Sequence, residues 1–120
     1  MDDALRPLSL TTPQFAALSA LAEEPGLSGA RLARRCFVTP QTMTGIVGNL
    51  IAANLVTREP DPEHGRVLQV RLTRPGTEVF EHARRRVEEI EERMVADLDR
   101  AEREALADLL AQCADALERR

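Results

Sequence analysis

With 120 residues, 43% of them apolar, the chain is sized for one domain with a modest core. No apolar run reaches membrane length, and the acidic start Met1-Asp2-Asp3 has no long hydrophobic stretch behind it, so a secretory signal is not expected and a cytoplasmic protein is. The formal net charge of −4 speaks against a nucleic-acid partner only while the charges are pooled, and along the chain they are unevenly spread.

Residues 1–10 form a short leading segment. Thr12-Pro13 then starts a helix whose Phe15, Leu18 and Leu21 face one way, and Glu24-Pro25-Gly26 stops it. Ser28 caps a short helix carrying Leu32, Ala33 and Cys36. After a brief turn at Phe37-Val38, another helix starts at Thr39-Pro40, where the hydroxyl can accept first-turn amide bonds and the missing proline N–H costs nothing. Met43, Ile46, Val47, Leu50 and Ile51 give this helix one apolar stripe, and Asn54 suits a left-handed end. Its outward positions are Gln41, Thr42, Thr44, Gly45, Gly48 and Asn49. No charged residue occurs from Cys36 to Thr57, so this face carries only short donors and acceptors beside two positions without a side chain.

Residues 55–58 and 67–72 have strand-like composition, the second alternating Leu68, Val70 and Leu72 against Val67, Gln69 and Arg71. Between them lie Pro60, Pro62 and Gly65; a positive φ is expected at Gly65 near the tip, which leaves Arg66 on an exposed loop. A helix followed by a two-stranded wing is the order of a winged helix-turn-helix, in which the second helix of the pair enters the major groove. Two further helices follow. One carries Phe80, Ala83, Val87, Ile90, Met94 and Leu98; the other opens on a capping box at Asp99 and Glu102 and carries Leu106, Leu109, Leu110, Cys113 and Leu117. Their short connection predicts antiparallel pairing, and stripes this narrow often continue into a partner subunit. The expected fold class is therefore mainly α (α+β): a winged helix-turn-helix over residues 11–74 with two C-terminal dimerisation helices over 75–120.

Residues 28–75 hold seven arginines against three acids, a net of +4, whereas residues 76–120 are at −5. The basic part coincides with the proposed reading head. Nothing points to an enzyme: there is no glycine-rich phosphate loop, no nucleophile with a base, and no carboxylate pair set apart from the Glu/Arg helix surfaces. His64 and His82 have no Cys, His or Glu at ligand spacing, so neither a metal nor another cofactor is expected. Cys36 and Cys113 both fall on apolar stripes, which predicts core packing.

The residues Leu10-Thr-Thr-Pro-Gln-Phe15, Leu32-Ala33, Thr39-Pro-Gln-Thr-Met-Thr44, Leu55-Val-Thr-Arg58, Asp61 to Arg66, and Leu72-Thr73 with Gly76 together resemble the MarR family of transcription regulators. The resemblance spans nearly the whole chain. It implies a homodimer on pseudo-palindromic double-stranded DNA, acting as a repressor and released by a small aromatic effector or by cysteine oxidation. The sequence departs from the family pattern in three places. Residues 1–10 stand where a long first helix is usual, His64, Gly65 and Arg66 leave one arginine at the wing tip where two adjacent ones are usual, and Asn54 replaces the usual glycine.

On that reading the helix from Thr39 lies in the major groove. Gln41, Thr42, Thr44 and Asn49 reach base edges or nearby phosphates, and Gly45 permits close approach. Arg66 enters the adjacent minor groove, and Arg31, Arg34, Arg35, Arg58 and Arg74 contact phosphates. Each residue has a plainer alternative: Thr39 as a helix cap only, Gln41, Thr42 and Thr44 as a solvated face, Arg58 bridging Asp61, Arg71 as an exposed strand charge. His82 is a candidate border residue for an effector pocket. The rival function is a winged-helix protein-interaction module, or a short homologue that modulates another regulator without touching DNA.

Overall fold

The first long helix begins at Thr12 as expected, and Thr11 caps it. Its hydroxyl accepts the Gln14 N–H (3.2 Å) while the Gln14 side chain accepts the Thr11 N–H (3.0 Å), a reciprocal cap that satisfies two of the orphan donors of the first turn. The structure is a computed structural model describing residues 5–63 and 65–119. Met1 to Ala4 and His64, which the sequence reading placed at the leading segment and the wing tip, lie outside the described residues. A 3-10 turn, Arg6–Leu8, precedes α1 (Thr12–Glu23). Then come β1 (Leu27–Ser28), α2 (Gly29–Arg35), α3 (Pro40–Ala52), β2 (Val56–Pro60), β3 (Leu68–Leu72), α4 (Arg74–Met94) and α5 (Arg100–Glu118).

The expected two-stranded wing forms from β2 and β3, and a third strand adds to it in the antiparallel order β1-β3-β2. Leu27 pairs with Val70 and Ser28 with Gln69, so a two-residue strand joins the start of the helix-turn-helix to the wing. Two residues carry no alternation, which is why the sequence pattern does not reveal them. The chain reaches β1 through Gly26 at φ 83°. The positive φ expected at Gly65 turns on the adjoining His64 and so lies outside the described residues.

Ser28 and Thr39 cap α2 and α3 as expected, accepting N–H bonds from Arg31 (3.2 Å) and Thr42 (3.1 Å). The turn between these helices holds Phe37 at φ 57°. α3 ends in a Schellman motif: Asn54 takes the left-handed position (φ 62°), its N–H reaches the Ile51 carbonyl (2.9 Å), and the Leu55 N–H reaches the Leu50 carbonyl (2.9 Å).

The core is one cluster. Leu18 and Leu21 of α1, Leu32 of α2, Met43, Val47 and Leu50 of α3, Val56 and Val70 of the sheet, and Phe80, Ala83 and Val87 of α4 are all buried. Leu5 and Leu10 from the leading segment close it. Three expected stripe members outside α5 stay exposed, Ile51 at the last turn of α3, Leu68 at the start of β3 and Met94 at the last turn of α4, each at an element end.

The antiparallel pairing expected of the last two helices is absent. α4 packs the first part of its stripe on α1, with the Phe15 and Phe80 rings stacked at 5.8 Å, and among the described residues α5 has no extended packing against another element. Leu109 (58% exposed), Leu110 (57%) and Leu117 (49%) remain in solvent together with Cys113, so that cysteine is not a core residue. The elbow is held by Arg103, which donates to Glu92 (2.8 Å) and to the Leu98 carbonyl (3.2 Å). Among the described residues no helix is long and apolar enough to cross a membrane.

The winged helix and α4 meet at a knot of backbone. The Leu55 carbonyl accepts the Thr73 N–H (3.0 Å), the Thr73 hydroxyl donates to the Asn54 carbonyl (2.7 Å), and the same hydroxyl oxygen accepts the Gly76 N–H (2.9 Å). A β-carbon on Gly76 would sit 1.9 Å from the Leu55 carbonyl oxygen, too close for any side chain. Gly76→Ala is expected to destabilise the fold by about 2–3 kcal/mol, read as a lowered urea midpoint, since the clash is with backbone that cannot rotate away.

Candidate nucleic-acid interface

The outer face of α3 is built by the same spacing that buries its inner one. With Met43, Val47 and Leu50 turned into the core, Gln41, Thr42, Thr44, Gly45, Gly48 and Asn49 are all exposed. Their hydrogen-bonding capacities differ. The Thr39 hydroxyl accepts the Thr42 N–H and donates to the Thr42 hydroxyl (3.0 Å), and the Thr44 hydroxyl donates to the Pro40 carbonyl (2.9 Å). These hydroxyl protons are already committed within the helix, so Thr39 and Thr44 offer lone pairs and methyl groups. Among the described residues the Gln41 and Asn49 amides have no intramolecular partner, and each can both donate and accept. A β-carbon added at Gly45 or Gly48 would meet nothing within 4 Å.

The arginines divide into two sets. Arg31 is bound to Glu24 (3.0 Å), and Arg35 to Glu23 (2.6 Å) and Glu24 (3.4 Å), so both lock α2 to the end of α1. Arg34, Arg58 and Arg66 are exposed and, among the described residues, have no carboxylate partner. Arg58 therefore does not bridge Asp61; the Asp61 carboxylate instead accepts the Glu63 N–H (2.8 Å). Arg74 lies 3.9 Å from Glu78 with both side chains in solvent, a pairing of little energetic consequence. Arg71 is more than an exposed strand charge. It donates to Gln69 (3.0 Å), lies 3.7 Å from Glu59, and leans on Gly26, where an added β-carbon would come within 2.9 Å of its guanidinium.

A second feature was not legible beforehand. Between α1 and α4 opens a cavity of about 440 Å³, floored by Phe15, Phe80 and Val87 and rimmed by Ser19, Glu23 and Glu91. Arg84 and Glu88 also line it, with Arg84 donating to Glu81 (2.8 Å) and Glu88 (2.5 Å); the Arg84 hydrogen bond holds the Glu81 carboxyl below its ordinary range. In the sequence Phe15 and Phe80 are indistinguishable from core. His82, the expected border residue, does not line this cavity; it is exposed, with Arg85 3.5 Å from its Nδ1. Cys36 is half-buried, and burial pushes its thiol up despite nearby Arg35, which disfavours the reactive thiolate. Among the described residues no cluster of His, Cys, Asp or Glu could hold a metal.

A family model described as the MarR family matches residues 8–67. The HTH-type transcriptional repressor Rv2887 of Mycobacterium tuberculosis is 40% identical over 95 residues, which span 79% of this chain and 68% of that protein. The crystal structure of Rv2887 in complex with salicylic acid matches with a TM-score of 0.74 at 35% identity, over 93% of this chain and 83% of that one. The PcaV transcriptional regulator of Streptomyces coelicolor, solved with its natural ligand, matches with a TM-score of 0.79 at 29% identity, over 96% of this chain and 84% of that one.

The open space at the two outward glycines has a thermodynamic signature. Gly45→Ala and Gly48→Ala are each expected to raise stability by about 0.5–1 kcal/mol in chemical denaturation, because alanine loses less backbone entropy in a helix and meets no neighbour. A fold that kept these glycines for packing would lose stability instead.

Proposed function

The chain belongs to the MarR family of transcription regulators, and on that footing we propose that it is a cytoplasmic repressor that binds a pseudo-palindromic operator as a homodimer. The observation that carries this reading is the outer face of α3: uncharged, exposed, with the Gln41 and Asn49 amides unpartnered and two glycines that let another surface approach. Gln and Asn suit adenine edges, and the outward methyls of Thr42 and Thr44 suit thymine. Residues 11–74 act as the reading head, with Arg66 and Arg58 on the wing and Arg34 and Arg74 at phosphates. Arg31 and Arg35, being committed to Glu23 and Glu24, serve mainly to brace α2.

Residues 75–120 act as the dimerisation arm. The exposed stripe of α5 supports this, since several large apolar side chains aligned on one face of a helix without a covering layer favour association. Two reading heads then sit about 34–36 Å apart, one turn of duplex, and the arm sets the spacing of the half-sites. Rv2887 has been solved with salicylic acid, which supports the cavity between α1 and α4 as the seat of a small aromatic effector in this chain too. A ligand wedged between those helices would shift the reading head against the arm and change the half-site spacing.

Light scattering with and without a randomised duplex library, followed by sequencing of the retained DNA, tests the reading. A dimer enriching a two-fold symmetric motif is the expected result; a monomer retaining no DNA replaces it with the interaction-module function. On the enriched duplex, Arg66→Ala is expected to reduce the slope of log K against log salt by about one unit. Gly45→Ala and Gly48→Ala should weaken binding although they stabilise the fold.

A further inference from the structure

We infer that the cavity between α1 and α4 selects a positively charged aromatic ligand, an aryl amine or comparable organic cation, over an aromatic carboxylate. The inference rests on the effector reading above and adds the charge of the ligand to it. The floor suits a flat ring: Phe15 and Phe80 stack with centroids 5.8 Å apart and planes 23° from parallel, and Val87 closes the bottom. Aromatic faces are electron-rich and attract cations, whereas they repel anions.

The rim carries the sign. Glu23, Glu88 and Glu91 line the opening, and the lining cation is Arg84. That guanidinium is already taken, with Glu81 on one side and Glu88 on the other. A carboxylate ligand would have to displace one of these partners to use it. Glu23 is offset from outside the cavity by Arg35 (2.6 Å), but among the described residues Glu91 has no cationic partner. Counting the charged neighbours as well, Glu23, Glu81, Glu88 and Glu91 face Arg84 and Arg35, with Arg85 acting on Glu81 from outside the cavity, which leaves a net negative rim around an apolar floor. An ammonium on a ring seated against Phe15 and Phe80 supplies the missing charge near Glu91, while a carboxylate in the same place adds to the excess.

The chain has neither tryptophan nor tyrosine, so a fluorescent ligand can be followed directly. We would titrate the intact protein with 2-naphthylmethylamine and 2-naphthoate, one ring system with opposite charges, at low and high salt. The amine is expected to bind about tenfold more tightly at low salt, with the ratio shrinking toward one at about 1 M. Glu91→Gln, at an exposed position that disturbs no contact, should weaken the amine about threefold and leave naphthoate unchanged or tighter. Ser19→Phe, which fills the cavity from the rim, should weaken both ligands.

Equal or tighter binding of naphthoate that is still lost in Ser19→Phe would overturn the charge selection and leave the effector cavity standing. If neither ring binds, or both bind Ser19→Phe as well as the parent, the effector reading fails and the charge selection with it. A melting curve of each variant matching the parent excludes misfolding as the cause.

Discussion

The contact on which the rest of this structure depends is between Leu55 and the first turn of α4. Asn54 turns the chain left-handed out of α3, and the Asn54 and Leu55 carbonyls are taken by the hydroxyl and amide of Thr73. Gly76 lets the first turn of α4 rest directly on the Leu55 backbone. The end of α3, the start of β2, the end of β3 and the start of α4 therefore share one set of hydrogen bonds. Backbone groups cannot change rotamer, so this joint is a defined pivot between α3 and α4, and the packing of α4 on α1 sets the angle about it. A regulator whose half-site spacing follows from that angle needs such a joint.

Charge is organised with similar economy. The basic surplus between residues 28 and 75 looks like a broad positive face when counted along the chain. In three dimensions two of those arginines are consumed by Glu23 and Glu24, and Arg71 is folded over Gly26. What remains available is Arg34, Arg58, Arg66 and the weakly paired Arg74, a few cations at the edges of an uncharged helix face. An acidic protein with a small number of placed cations gains little from indiscriminate attraction to phosphate, and a larger share of its affinity must come from fit.

What could be read from the sequence was what local chemistry decides. The caps at Ser28 and Thr39, the capping box at Asp99 and Glu102, the left-handed Asn54 and the inward stripe of α3 all follow from residues within four positions of one another, and all are present. What was not legible depends on partners distant in the chain. Arg35 meets Glu23 because α2 folds back on α1, β1 exists because β3 offers it an edge, and the cavity exists because residues 15 to 23 of α1 face residues 80 to 91 of α4. Antiparallel pairing of the last two helices failed as an expectation for the same reason: α4 had already spent its stripe on α1, and no periodicity within α4 or α5 records that. The outward face of α3 was identifiable by composition, but that its hydroxyl protons are bonded inward while its amides are left open required coordinates.

The bare stripe on α5 has a consequence for dosage. If α5 pairs with a second copy as proposed, assembly follows mass action, and the amount of dimer rises with the square of the chain concentration while dimers are scarce. Repression by such a dimer would set in over a narrow range as the protein accumulates. Steepness in that response then requires no cooperativity between operators, only Leu109, Leu110 and Leu117 left in water until a second chain arrives.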